Sequence, residues 1–246
     1  MSSTPLSRRP SQERDESASA RKEVAEREFV TNAAHELQSP LTAIVSAIEV
    51  LQAGAKDTPE RDVFLDHIER AAARLARLAR ALLVLARAQT GAEAPRTELV
   101  SLESLLQDVA SRLKPIEGVQ VTVSCPSEAA AITNRDLIEQ AVLNVAENAA
   151  KYTARGRIEL AAEVSNGRAE IRVSDTGRGI PAAEQSRVFE RFYRGQRTGG
   201  GGSGLGLAIA RAATEAVGGE VELESTFGKA TLVRFRLPQG ASLLDP

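Results

Sequence analysis

The feature that most constrains this chain is a heptad. Phe64, Ile68, Ala71, Leu75, Leu78, Leu82 and Leu85 recur at alternating steps of four and three, the spacing of an apolar stripe on a helix that packs against another helix. Upstream, a second stripe runs through Phe29, Ala33, Leu37, Leu41, Ile44, Ile48 and Leu51, and the glycine- and proline-bounded stretch 54–59 separates the two. The pattern predicts an antiparallel helical hairpin over residues 21–90, opening in the interleaved charges of Arg21, Lys22, Glu23, Glu26, Arg27 and Glu28. Two helices cannot enclose both stripes, and each large apolar side chain left in water forfeits roughly 1.5–3 kcal/mol. A twofold pair of hairpins presents identical seams to each other, so the expected closure is a homodimer whose helices form a four-helix bundle.

His35 lies off the first stripe with Glu36 beside it, so the imidazole is expected to face outward. Pro40, four residues after Glu36, has no N–H to bond the Glu36 carbonyl, which loosens the turn that carries the histidine. An exposed imidazole beside a carboxylate on a disturbed turn suits phosphorylation, although a merely solvated histidine has the same local pattern. His67 has no comparable setting and reads as a surface residue.

Residues 1–20 are polar, with too few large apolar side chains to offset the entropy of ordering, and read as a disordered tail. Residues 91–99 read as a linker, 100–238 as a second domain and 239–246 as a C-terminal tail. In the second domain the period changes to strand-like alternation at 120–123, 157–164, 169–173, 220–223 and 232–237. Helical segments at 136–151 and 203–217 separate these strands, which gives an α/β sandwich with helices on one face of a mixed sheet.

With 31 basic against 33 acidic side chains the chain has no basic field for nucleic acid. Its single cysteine, Cys125, excludes an internal disulfide and reads as an inert, buried thiol. No run approaches the ~20 apolar residues of a membrane-spanning helix. The expectation is therefore a soluble, cytoplasmic chain with no membrane segment, or the soluble part of a membrane receptor.

Four local signals follow one another in the second domain. Asn144 and Asn148 stand one helical turn apart, with Lys151 near Asn148; amide oxygens suit a hydrated Mg²⁺ and an ammonium suits phosphate, while ordinary helix polarity also explains them. Asp175 opens the run Asp-Thr-Gly-Arg-Gly-Ile-Pro directly after a strand. There a carboxylate can accept the exocyclic amine of adenine and glycines let the backbone approach the ring, though an ordinary turn has similar residues. Residues 188–194 gather Phe189, Phe192 and Tyr193 in a chain that is only 3% aromatic, which suggests a loop anchored to the core. Finally, Gly199 to Gly202, Ser203, Gly204, Leu205 and Gly206 feed an apolar helix whose first N–H groups can hold phosphate. The spacing is neither the Walker type nor the dinucleotide fingerprint.

Residues 23–238 resemble the cytoplasmic core of a sensor histidine kinase of two-component systems. The stretch around His35 resembles that family's phosphoacceptor box, and 144–153, 175–181, 189–194 and 202–207 resemble its N, G1, F and G2 boxes in the family's order. The resemblance implies a dimerisation and phosphotransfer bundle followed by a Bergerat-type ATP-binding sandwich, with ATP and Mg²⁺ as cofactors. It implies Asn148 as the Mg²⁺ ligand with Asn144 nearby, Lys151 and Arg194 on phosphates, and Tyr152 near the adenine. Asp175 would bind the adenine amine, Gly177 and Gly179 would shape its pocket, and Gly204 and Gly206 would open the phosphate side, with Phe189, Phe192 and Leu205 in the same boxes.

The chain departs from the family at Gln38, where a basic residue is common, at Ser39, where threonine or asparagine is common, at Ala230, where glycine is frequent, and at Glu147 between the asparagines. The Ser39 position is associated with holding the water that dephosphorylates the partner, so kinase activity is expected to outweigh phosphatase activity. The implied reaction is in-line transfer of the ATP γ-phosphoryl group to Nε2 of His35, with Glu36 on Nδ1, then to an aspartate of a separate response-regulator receiver domain. A related ATP-binding switch or serine kinase would need no acceptor histidine. A dimeric pseudokinase scaffold would not need Glu36, Asn148 and Gly204 together.

Overall fold

A computed structural model describes residues 31, 33–34, 37–54, 60–90, 95–195 and 204–243. The chain forms two compact units, Met1–Ala79 and Arg80–Pro246. His35, Glu36, the polar tail and the glycine run 199–202 with Ser203 lie outside the described residues, as do the side chains of Leu78, Leu82 and Leu85.

In the first unit residues 37–52 form helix α1, which continues through Pro40, and α2 (Arg61–Thr90) begins there and runs past the unit boundary at Ala79. The positions of α1 that are at least half-buried are Leu37, Pro40, Ile44, Ala47 and Leu51, with Ala33 one turn upstream. Of the expected stripe, Ala33, Leu37, Ile44 and Leu51 are covered in the single chain, while Leu41 and Ile48 are 52% and 39% exposed and their neighbours Pro40 and Ala47 are buried. Leu41, Val45 and Ile48 line a second stripe left open to solvent in the single chain. On α2, Phe64, Ile68, Ala71 and Leu75 are half-buried, at the expected heptad positions.

The second unit runs β1 (Glu98–Ser101), α3 (Leu102–Arg112), β2 (Val119–Ser124), β3 (Ala129–Thr133), α4 (Arg135–Tyr152), β4 (Gly156–Ser165), β5 (Arg168–Asp175), α5 (Ala182–Gln185), α6 (Gly206–Ala216), β6 (Glu220–Thr226), β7 (Ala230–Leu237) and β8 (Gly240–Ser242). Its main sheet has the order β2-β4-β5-β7-β6. The β2–β4 pair is parallel and the other neighbours are antiparallel, so the sheet is mixed. A smaller sheet, β1-β3-β8, takes in residues 98–99 and 240–242, which the sequence had placed in the linker and the tail.

Strand alternation separates the two faces of the main sheet. Ala169, Ile171 and Val173 of β5 and Val233, Phe235 and Leu237 of β7 are buried in one core with Leu105, Leu106 and Val109 of α3, Ile138, Val142 and Val145 of α4, and Ala210 and Ala213 of α6. The opposite face carries charge. Arg172 pairs with Glu163 and Glu170, Arg236 with Glu170 and Glu222, and Arg234 with Glu224. Such solvated pairs contribute little stability each, and they keep this face in water.

Helix α4 is fixed at its start by Asn134, whose side chain caps Leu137 N at 3.0 Å and donates to the Arg96 carbonyl at 2.9 Å. Cys125, expected buried, is half-buried; it bonds the Pro126 carbonyl, and burial with nearby Glu103 and Glu128 pushes its thiol up to about 11, which keeps it protonated at neutral pH.

Candidate nucleotide site

The site is built on the last turns of α4, where Asn144, Asn148 and Tyr152 follow one another at single-turn spacing. Asn144 is buried, and its Oδ1 accepts from Gln140 Nε2 at 3.1 Å while its Nδ2 has no partner among the described residues. A buried, unpaired amide donor is costly unless a ligand acceptor completes it. Asn148 is half-buried and faces Gly206, where a Cβ would lie 3.5 Å from Asn148 Nδ2 and 3.9 Å from Asn144 Cβ. Helix α6 therefore starts against both asparagines. Among the described residues no side chain caps its beginning, and its first turn has no acidic residue, so the positive end of its dipole suits an anion.

Asp175 ends β5, and its carboxyl is pushed above the usual range, first by burial. Neighbouring groups oppose that shift: Gly177 N donates to Oδ1 at 2.8 Å, and Thr231, the cross-strand partner of Asp175, favours the charged form through its backbone N–H. The Thr153 hydroxyl also favours the charged form, but it is not aligned as a full hydrogen bond. Gly177 is obligatory here, because a Cβ would lie 2.6 Å from Tyr152 O and 2.8 Å from Asp175 Oδ1. Gly179 has φ +64°, and a Cβ there would meet Thr226 O at 2.1 Å. Half-buried Tyr152 lies under the Arg178 guanidinium at 4.5 Å and Lys151 Nζ at 5.0 Å from its ring centre.

The aromatic segment is anchored as its composition implied. Phe189 is buried with the Arg211 guanidinium of α6 at 4.1 Å from its ring centre. Phe192 takes φ +61°, rare for a bulky residue, and backs onto Gly204, where a Cβ would lie 2.6 Å from the Phe192 carbonyl carbon. Leu205 is 1% exposed and belongs to the packing. Arg194 and Lys151 are exposed, and Ser39 is an exposed residue of α1 in the first unit.

Sequence reasoning missed Thr231. The available signal was a hydroxyl on the inward face of β7, in alternation with Val233, Phe235 and Leu237. Among the described residues no cluster of three or more His, Cys, Asp or Glu could hold a metal. The oxygen of one amide suits a magnesium ion that keeps water and phosphate ligands, so the residues present fit Mg²⁺ carried with a polyphosphate.

A half-buried carboxylate at the end of β5, a buried amide on α4 and the start of α6 thus gather around the C-terminal half of α4. Residues 133–241 match the family model of histidine kinase-, DNA gyrase B- and HSP90-like ATPases, and residues 25–91 match that of the His kinase A phospho-acceptor domain. The chain is 35% identical over 222 residues to the sensor histidine kinase RppB of Synechocystis sp., covering 87% of this chain and 49% of that protein. It is 32% identical over 231 residues to the sensor-like histidine kinase SenX3 of Mycobacterium tuberculosis, covering 91% and 56%. It thus spans about half the length of these relatives. Among solved structures, full-length ShkA in complex with AMPPNP superposes with TM-score 0.65 at 27% identity, covering 87% of this chain and 46% of that one. The mycobacterial sensor histidine kinase MprB superposes with TM-score 0.51 at 29% identity, covering 59% and 100%. The chain belongs to the sensor histidine kinases of two-component systems.

Proposed function

We propose that the chain is a kinase that transfers the γ-phosphoryl group of ATP to its own His35 and then to an aspartate of a separate response-regulator receiver domain. The observation that carries this reading is the platform itself: the Asp175 carboxylate at a glycine notch, and two turns away the unpaired Asn144 amide beside Asn148 and the open start of α6. Asp175 accepts the adenine amine, and Gly177 leaves room for the ring. Asn144, Asn148, Lys151 and Arg194 take the phosphates, while Tyr152 packs near the base. Mg²⁺, held through Asn148 and the phosphates, would neutralise charge during transfer.

Glu36 accepts the Nδ1 proton of His35 and keeps Nε2 unprotonated, the orienting role a carboxylate plays for a nucleophilic imidazole. The N–P bond forms at Nε2 as the bond to the bridging oxygen of ADP breaks. The exposed stripe of Leu41, Val45 and Ile48 supports pairing of two chains through their hairpins. No described helix is long and apolar enough to cross a membrane. The reaction belongs in the cytoplasm, in a free chain or in the soluble part of a receptor, where ATP and receiver domains are available.

The test is incubation with ATP labelled in the γ or in the α position. Protein-bound label from γ-labelled ATP alone, abolished by chelating Mg²⁺, is expected. Label from both, or from neither, contradicts the reading.

A further inference from the structure

The geometry points to Ser225 as a positioning residue for adenine recognition, clamping the Asp175 loop to the β6–β7 hairpin. This deepens the proposal that the site binds ATP and rests on it. A hydroxyl has one proton to donate and two lone pairs, and Ser225 Oγ uses all three. It accepts from Ile180 N at 2.8 Å, donates to Ala230 O at 2.8 Å and lies 3.0 Å from Thr231 Oγ1, whose proton fills the remaining lone pair. Ser225 and Thr231 are cross-strand partners, and Thr231 is in turn the cross-strand partner of Asp175. One oxygen therefore fixes both the loop after Asp175 and the strand that supports Asp175.

Gln185 closes the clamp from the other side. Its Nε2 donates to Ile180 O and to Ser225 O, each at 2.9 Å. The hairpin tip adds the bond from Gly228 N to Arg178 O and the close seat of Gly179 on Thr226. None of these groups needs to touch nucleotide. They set where the Asp175 carboxylate and the Gly177 notch stand, so their loss is felt in adenine affinity and not in the chemistry at the phosphates.

The experiment compares wild type, Ser225→Ala, Ser225→Thr and Gln185→Leu by calorimetry with ATP and with adenosine, by autophosphorylation over a range of ATP concentrations, and by thermal melting. Ser225→Ala leaves Ile180 N unpaired and should raise Kd for both ligands by the same factor, about tenfold, with KM rising in step and kcat unchanged. Ser225→Thr, which keeps the hydroxyl, should restore affinity. Gln185→Leu should show the same KM-only loss, and it decides the matter if Ser225→Ala does not fold. Wild-type affinity in Ser225→Ala or, should that variant not fold, in Gln185→Leu overturns the inference, as does a fall in kcat with KM unchanged. A wild type that binds neither ligand overturns the nucleotide reading and this inference with it, whereas loss confined to the variants leaves that reading standing.

Discussion

Asp175→Asn separates recognition from stability. The carboxylate is buried enough that its carboxyl is pushed above the usual range, so in the absence of ligand the ionised form burdens the fold. For an acid whose folded pKa is raised, that burden is fully present above the folded pKa and vanishes below the unfolded one. Asparagine removes it, keeps an Oδ1 for Gly177 N, and puts an amide donor in place of the second carboxylate oxygen, which the proposal gives to the adenine amine. Losing a hydrogen bond to a charged acceptor costs about 1.5–3 kcal/mol, roughly a 10- to 150-fold rise in Kd for ATP and for adenosine alike. Calorimetry at pH 7 measures this, and the melting temperature there should be unchanged or raised. Wild-type affinity should fall as pH drops through the raised pKa of Asp175, a dependence the asparagine variant lacks. A variant that binds ATP as well as wild type, or that loses stability at pH 7, refutes the reasoning.

Glutamate at both Leu41 and Ile48, which are open in the single chain, should convert a dimer to monomers in light scattering while the helical circular dichroism persists; a wild type already monomeric at micromolar concentration contradicts the bundle. Gly177→Ala drives a Cβ into Tyr152 O and Asp175 Oδ1, and should lower stability by about 1–3 kcal/mol in a thermal melt and reduce ATP binding. Ser39→Thr adds the methyl that restricts the hydroxyl's rotamers and should speed dephosphorylation of the cognate response regulator without changing His35 labelling; equal rates dismiss that role.

The elements that could be read from the sequence were those whose pattern follows their own period. The heptad on α2 and the alternation in β4 and β5 come from burial of one stripe or one face, and both are visible without tertiary context. Strands β1, β3 and β8 were not legible, because Ala129, Ala130 and Ala131 have weak strand preference and the buried run does not alternate. In α1 the positions Leu37, Ile44 and Leu51 stand as the stripe placed them, whereas burial of Pro40 and Ala47 beside the exposed Leu41 and Ile48 depends on which face the single chain covers, and hydrophobicity alone does not carry that. At the site, Asp175 and its glycines stood in one short run, whereas Thr231 comes beside Asp175 from a strand fifty-six positions later by pairing across the sheet. Contacts made through register leave no local trace.

The central claim is that His35 receives the phosphoryl group, and mapping the label after incubation with γ-labelled ATP and Mg²⁺ tests it most directly. The account predicts a label that is acid-labile and alkali-stable, located on His35 by peptide mapping, absent from His35→Gln, and slower to form by roughly 10²–10⁴ in Glu36→Gln. Undiminished label in His35→Gln, or an acid-stable phosphate on a hydroxyl side chain, would contradict it.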